Sequence, residues 1–255
     1  MAGTISPQTN KASSGAANGA NGYHNDPLPV VNSNGDVPAN WEASGHNISY
    51  AEFLDWADEN TLAEWVNGDI VMTSPANFRH QYIGRFLIKV MDTFVEVNDL
   101  GVIIQPPFQM HLAGISGREP DLMFVRKARM DIMRNSSTNG PADLAIEIVS
   151  PESVDRDYDD KFTEYAAGGV PEYWLLDAIN DTATFYQLDT DGHYQAMPLD
   201  EQGRYYSSSV TGFWLKPEWL WQQPLPNAVR VLRRVGGQAV VDYYNNQLQA
   251  LDDEL

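Results

Sequence analysis

Residues 141–153 read "PADLAIEIVSPES", and the place found for the glutamate in their middle decides both fold and chemistry. In an extended chain Leu144, Ile146 and Ile148 fall on one face, and Ala145, Glu147 and Val149 on the other. Neither face is polar enough to meet water, so the stretch reads as a strand of an interior sheet covered on both sides. An ionised carboxylate in such a place costs several kcal/mol unless it is compensated. The compensator can be a basic side chain, a proton or a metal ion.

Outward from this strand, "VIIQPPFQMHL" (102–112) and "PDLMFV" (120–125) precede it as strand candidates. A charged helix, "VDRDYDDKFTEYAAGG" (154–169), follows and stops at a Gly pair with Pro171 just beyond. "EYWLLD", "TATFYQLD" and "HYQAMPL" are then strands, the last two joined through Asp191-Gly192. Upstream, Ile83, Leu87, Val90 and Phe94 mark the buried face of a helix that also carries His80, and Gly101 marks its exit. Asn67-Gly68 joins two short strands in "TLAEWVNGDIVMTS", and Ser49 and Glu52 have capping-box spacing. Helix, three strands, helix and strand, with a hairpin at each end, specify an α/β (α+β) fold: a mixed sheet flanked by helices.

The chain has 255 residues, 43% of them hydrophobic, enough for one large domain or a modest pair. Residues 1–45, rich in Gly, Ala, Ser and Asn, read as a disordered tail, 46–222 as the folded domain, and 223–255 as a weakly patterned extension. No run approaches a membrane span, and the first residues lack the basic start and apolar stretch of a secretory signal. The absence of cysteine excludes disulfides, thiolate zinc sites and a thiol nucleophile, and suits a reducing cytoplasm. A net charge of −19 should make the surface as a whole repel DNA and anionic membranes. A nucleic-acid partner would have to be engaged through a local site, a cation or a delivering protein.

Asp121 opens "PDLMFV". If that strand pairs with the glutamate strand, Asp121 and Glu147 meet at one edge of the sheet. Two carboxylates so close cannot both stay ionised without a cation, and Mg²⁺ or Mn²⁺ suits oxygen ligands of this kind. Lys161, on the helix leaving the glutamate strand, has a stem long enough to reach the same edge. Glu64, just before the Asn-Gly turn, is a third candidate acid, and His80 a fourth member of the set. Each has a plainer reading. Glu147 reads equally as ion-paired with Lys161, Asp121 as a strand-start residue, and Glu64 as a surface cross-strand partner. Lys161 pairs naturally with Asp157 at i,i+4 on a solvated face, and His80 can be structural. The acidic run Glu152, Asp155, Asp157, Asp159 and Asp160 reads as solvated helix surface that would repel DNA beside the site.

"EPDLMFV", "ADLAIEIVSPES" and "RDYDDKFTEYAAGGVPEYWLLD" resemble the Uma-type restriction endonuclease family, a branch of the PD-(D/E)XK nuclease superfamily. "AEWVNGDIVMTSP" and the following His80 are similar to that family too, so the resemblance spans roughly residues 50–220. It implies a restriction-endonuclease-like core of helix, three strands, helix and strand. It also implies metal-dependent phosphodiester hydrolysis, with Asp121 and Glu147 as ligands to Mg²⁺ or Mn²⁺, DNA as substrate, and a homodimer where two strands are cut. One position departs: the superfamily's usual lysine two residues after the glutamate is Val149 here, and Lys161 matches the relocated lysine of the Uma-type pattern. The implied roles give Lys161 the charge of the phosphorane or the orientation of the attacking hydroxide, Glu64 a second ion or the positioning of the first, and His80 a proton transfer. The alternative is a nuclease fold kept as a protein-interaction module. A glycosidase using two carboxylates is a weaker third reading, since it needs no such lysine.

Overall fold

The computed structural model describes residues 47–57, 61–73, 75–151, 153–154 and 156–253. The tail read over residues 1–45 lies outside them, as do Glu152 and Asp155. The capping box of Ser49 and Glu52 starts helix α1 (Tyr50–Trp56). Strands β1 (Ala63–Val66) and β2 (Asp69–Met72) pair through Asn67 and Gly68, whose φ values of 47° and 97° are those of a type I′ turn. Helix α2 (Phe78–Val97) is capped by Asn77 and buries Ile83, Leu87, Val90 and Phe94, with Phe86, Met91 and Val95 beside them.

The exit of α2 differs from the sequence reading. Asn98 ends the helix and Asp99, at φ 52°, turns the chain. Gly101 instead opens β3 (Gly101–Ile104), where a Cβ would lie 2.1 Å from the Val125 carbonyl oxygen. The glycine is required by that close approach, not by the helix end. The stretch "VIIQPPFQMHL" is likewise divided between β3 and β4 (Gln109–Leu112), in different sheets, around Pro106 and Pro107, which have no N–H for a ladder.

The chain continues through β5 (Ser116–Arg118), β6 (Leu122–Arg126), β7 (Ser137–Asn139), β8 (Leu144–Val149) and helix α3 (Lys161–Gly168). Next come β9 (Glu172–Asp177), β10 (Thr182–Leu188), β11 (Tyr194–Ala196), the small pair β12 (Tyr205–Tyr206) and β13 (Trp214–Leu215), and helix α4 (Ala228–Asp253). The central sheet runs β11-β10-β9-β8-β6-β3, parallel only between β8 and β9, with α3 as the crossover that parallel pairing demands. A second sheet runs β2-β1-β5-β4-β7.

Strand β8 is buried from end to end. Leu144, Ile146 and Ile148 pack with Leu87, Val90, Met91 and Phe94 of α2, each such side chain contributing about 1.5–3 kcal/mol. Ala145 and Val149 pack on the opposite side with Tyr165 of α3 and with Met110 and Leu112 of the second sheet. Glu147 belongs to this second face. The segment beyond Pro224, weakly patterned in sequence, is α4, and its Val231, Leu232 and Val240 share the α2 core. A kink at Gly237 (φ 60°) changes the phase of the helix midway, so its apolar residues follow no single period. Among the described residues no helix is long and apolar enough to cross a membrane.

Candidate active site

The antiparallel register of β6 and β8 pairs Leu122 with Ile146, and extending it by one residue sets Asp121 opposite Glu147. Asp121 Oδ2 accepts a 2.7 Å hydrogen bond from the Ile148 N–H and lies 2.9 Å from His80 Nε2. Against an ionised carboxylate His80 is the donor, and its buried Nδ1 has no hydrogen-bond partner among the described residues. Glu147 is 2% exposed; its Oε2 accepts from Lys161 Nζ at 2.8 Å and its Oε1 from the Tyr165 hydroxyl at 2.6 Å. Val149, where the common motif has lysine, faces the apolar core.

Lys161 reaches the glutamate because α3 is preceded by a wider π-helical turn, Arg156–Asp160. That turn also carries Asp157 inward, with Oδ1 3.0 Å from Lys161 Nζ. The expected i,i+4 pair therefore exists, but it is buried: Asp157 is 1% exposed, while Asp159 and Asp160 are exposed as the sequence suggests. Asp157 Oδ1 has the ammonium nearby but no well-directed hydrogen bond.

Glu64 is not a surface cross-strand partner. It is buried on β1, where Oε2 accepts from Arg118 Nη1 and Oε1 from the Glu119 N–H, both at 2.9 Å. Arg118 grips Glu164 of α3 with its other nitrogens, at 2.9 and 2.7 Å, so one guanidinium ties β1, β5 and α3 together. Burial would raise the Glu64 pKa, but the charges of Lys161 and Arg118 and the Glu119 N–H outweigh it and hold the carboxyl low.

The remaining electrostatics are dominated by desolvation among like charges. Burial pushes Glu147 up to about 8; Lys161 opposes the shift, and Asp121 and Asp157 add to it. Burial likewise pushes Glu119 up to about 7, with Glu64 adding to the shift. Lys161 is driven the other way. Burial alone would lower it, yet the surrounding carboxylates, Glu147 foremost and then Asp157, Glu64 and Asp121, keep it firmly protonated.

Asp121, Glu147, Lys161, Glu64 and His80 all line one open cleft of about 430 Å³. The structure thus gathers all five candidates. Glu119, Arg156 and Asp157 also line it, and Tyr165 and Arg118 support it from behind. Of these, only Asp157 figures in the sequence reading, and there on a solvated face rather than in the site. Arg118 and Glu119 directly precede the Pro-Asp pair, and Tyr165 lies four residues beyond Lys161, so spacing alone could have flagged them.

Among the described residues no three His, Asp or Glu side chains form a complete metal cage. The donor set still suits Mg²⁺, which binds through one or two carboxylates and leaves its other positions to water and phosphate. Among the described residues both hydrogen bonds of Asp121 fall on Oδ2 and none on Oδ1, and the carboxylates outnumber the cations around Lys161.

A carboxylate pair across two central strands, with a buried lysine beside it at the floor of a cleft, thus stands on a restriction-endonuclease-like core. The chain belongs to the Uma2 family, described as "Putative restriction endonuclease", whose model matches residues 50–218. Its fold is similar to a crystal structure of a "putative nuclease belonging to DUF820" from Anabaena variabilis, with a TM-score of 0.57 and 18% identity over 68% of this chain and 97% of that one. No curated protein matches the chain.

Proposed function

We propose that this protein is a Mg²⁺- or Mn²⁺-dependent endonuclease that hydrolyses phosphodiester bonds in DNA. The observation that carries the proposal is the buried Glu147–Lys161 pair, opposite Asp121, opening into a cleft with surplus carboxylates. Asp121 and Glu147 would hold the ion. When bound, it supplies Lewis-acid polarisation of the phosphate and acidifies a water.

The protein's own groups do the rest. Lys161, held protonated, donates to the phosphate and stabilises the charge that develops there. His80 orients Asp121 through Nε2 and offers the lone pair of Nδ1 to a proton. Tyr165 fixes one oxygen of Glu147, and Glu64 positions Arg118 and the Glu119 backbone. We place the protein in the cytoplasm, acting as a homodimer where both strands are cut.

The test is cleavage of supercoiled plasmid by wild type, D121N and E147Q, with Mg²⁺ or Mn²⁺ and with EDTA. Cleavage that requires the ion and is lost in both folded variants supports the proposal. Undiminished cleavage by either variant, or cleavage in EDTA, overturns it. Mn²⁺ binding without cleavage of DNA or RNA would favour the interaction-module reading.

A further inference from the structure

The 35 acidic residues are unevenly placed. Residues 75–91 and 219–241 contain no Asp or Glu, yet they hold Arg79, Arg85, Lys89, Arg230, Arg233 and Arg234, six of the 16 Lys and Arg in the chain. These segments include residues 78–91 of α2 and 228–241 of α4, and the two helices pack against each other. Arg85, Lys89, Arg230, Arg233 and Arg234 are exposed, and none pairs with a carboxylate among the described residues. Arg79 pairs with Asp181.

This surface is continuous with the cleft. Asp121, His80 and Pro106 line both the cleft and an adjoining groove of about 440 Å³ that runs along α2 past Tyr82 and Arg85. Tyr82 and Arg85 in turn line a third depression, of about 230 Å³, with Lys89 and with Asn227 and Ala228 at the start of α4. Asn227 caps α4 by accepting from the Arg230 N–H at 3.1 Å, so the positive end of this helix, straight as far as the kink at Gly237, adds to the cations there. Phe78, 81% exposed, stacks on Tyr82 at 5.6 Å along the same path.

We infer that this face, from the first three turns of α2 to the start of α4, holds the phosphate backbone of the nucleic-acid substrate beside the cleft. The inference rests on the nuclease reading for the identity of the substrate and makes a separate claim about where affinity resides. Charge complementarity carries it: in a chain of net charge −19, affinity for a polyanion must come from a local cationic surface, and this one leads to the carboxylates. The scale suits a backbone. Lys89 is nine residues beyond His80, about 14 Å of helix, over which a duplex presents roughly eight phosphates. The charge-free alternative, a stacking path on Phe78 and Tyr82 alone, would leave the unpaired Arg85 and Lys89 that line the same path without a role.

The experiment measures binding of a fluorescein-labelled DNA duplex by anisotropy across a salt series, in EDTA so that nothing is cut. Wild type is compared with R85E/K89E and with K127E/R134E, which changes net charge equally on another surface. R85E/K89E should weaken binding at least about tenfold and lower the salt slope by about two, with K127E/R134E unchanged in both. Circular dichroism and urea unfolding confirm that both variants are folded. Equal affinity of R85E/K89E and wild type overturns the inference, as does an equal loss in the control. Failure of wild type to bind DNA while it binds anionic phospholipid vesicles also overturns it. Plasmid cleavage separates the two readings. Cleavage by wild type with unaltered affinity in R85E/K89E sinks the surface alone; selective loss of binding in a protein that never cleaves sinks the nuclease alone.

Discussion

Glu172 and Glu147 lie on adjacent parallel strands of one sheet, and both are buried. Glu172 accepts from Trp174 Nε1 at 2.6 Å, Tyr205 Oη at 2.7 Å, Ser207 Oγ at 2.9 Å, Ser208 Oγ at 3.0 Å and the Ser209 N–H at 2.7 Å. Five neutral donors close around it, four of them from residues 205–209, and no cation is involved among the described residues. Glu147 has two donors among the described residues, Lys161 and Tyr165, and is opposed by Asp121 and Asp157. It also borders a cleft, which Glu172 does not. Burial of an acid is therefore no mark of function in this sheet. The mark is an acid left short of donors, crowded by other acids and open to a ligand.

The largest expected effect separates the two glutamates by activity. E147Q should lower cleavage by more than the ~10²–10³-fold that loss of one transition-state donor costs. E172Q should leave activity per folded molecule unchanged. Stability should rank them the other way. In E172Q an amide NH₂ faces a ring of donors, and urea unfolding should show a loss of about 2–4 kcal/mol. The loss in metal-free E147Q should be smaller, because the acid removed was short of donors and crowded by other acids. Full activity loss in a well-folded E172Q would break the comparison.

The contrast was half legible in the sequence. Glu147 stands out because the alternation of "LAIEIV" puts it on a buried face, and local periodicity is what a sequence displays. Glu172 does not, because it begins its strand after Pro171 and its partners come from a loop more than thirty residues on. The stripe of α2, the capping box of α1 and the Asn67-Gly68 turn are likewise local and legible. Ordinary helical spacing puts Asp157 on a solvated face, and the π turn at Arg156–Asp160 carries it inward instead. The second sheet, the splitting of residues 102–112 and the packing of α4 depend on contacts distant in sequence, which no local period encodes.

The pH dependence of the metal-free protein sharpens the same contrast. The carboxyls of Glu147 and Glu119 are raised to about 8 and about 7, chiefly by burial, whereas an unfolded glutamate titrates near ~4.3. Between those values the folded protein retains protons that the unfolded chain has released. The stability due to these two groups is therefore fully present below about pH 4.3 and is lost as the pH rises toward 8. Glu64, held low, acts in the opposite sense and loses its stabilisation only as acid protonates it. Urea midpoints between about pH 5 and pH 8 should fall in wild type and E172Q, and fall less in E147Q. An identical slope in all three would remove Glu147 from the account.

The smallest expected effect is that of Y165F. The ring keeps its place in the core, and Glu147 loses the one uncharged donor it has among the described residues. The hydrogen bond is worth about 1–2 kcal/mol, and Mn²⁺ affinity should fall about tenfold, because the carboxylate is then less well oriented and holds its proton more tightly. Calorimetry gives the affinity, and a double-mutant cycle with E147Q decides the cause. If the hydroxyl acts through Glu147, Y165F should cost wild type more stability than it costs E147Q, where the accepting group is no longer a carboxylate. Equal costs in both backgrounds would make Tyr165 a packing residue. Glu147 would then depend on Lys161 alone, a still sharper contrast with the five donors of Glu172.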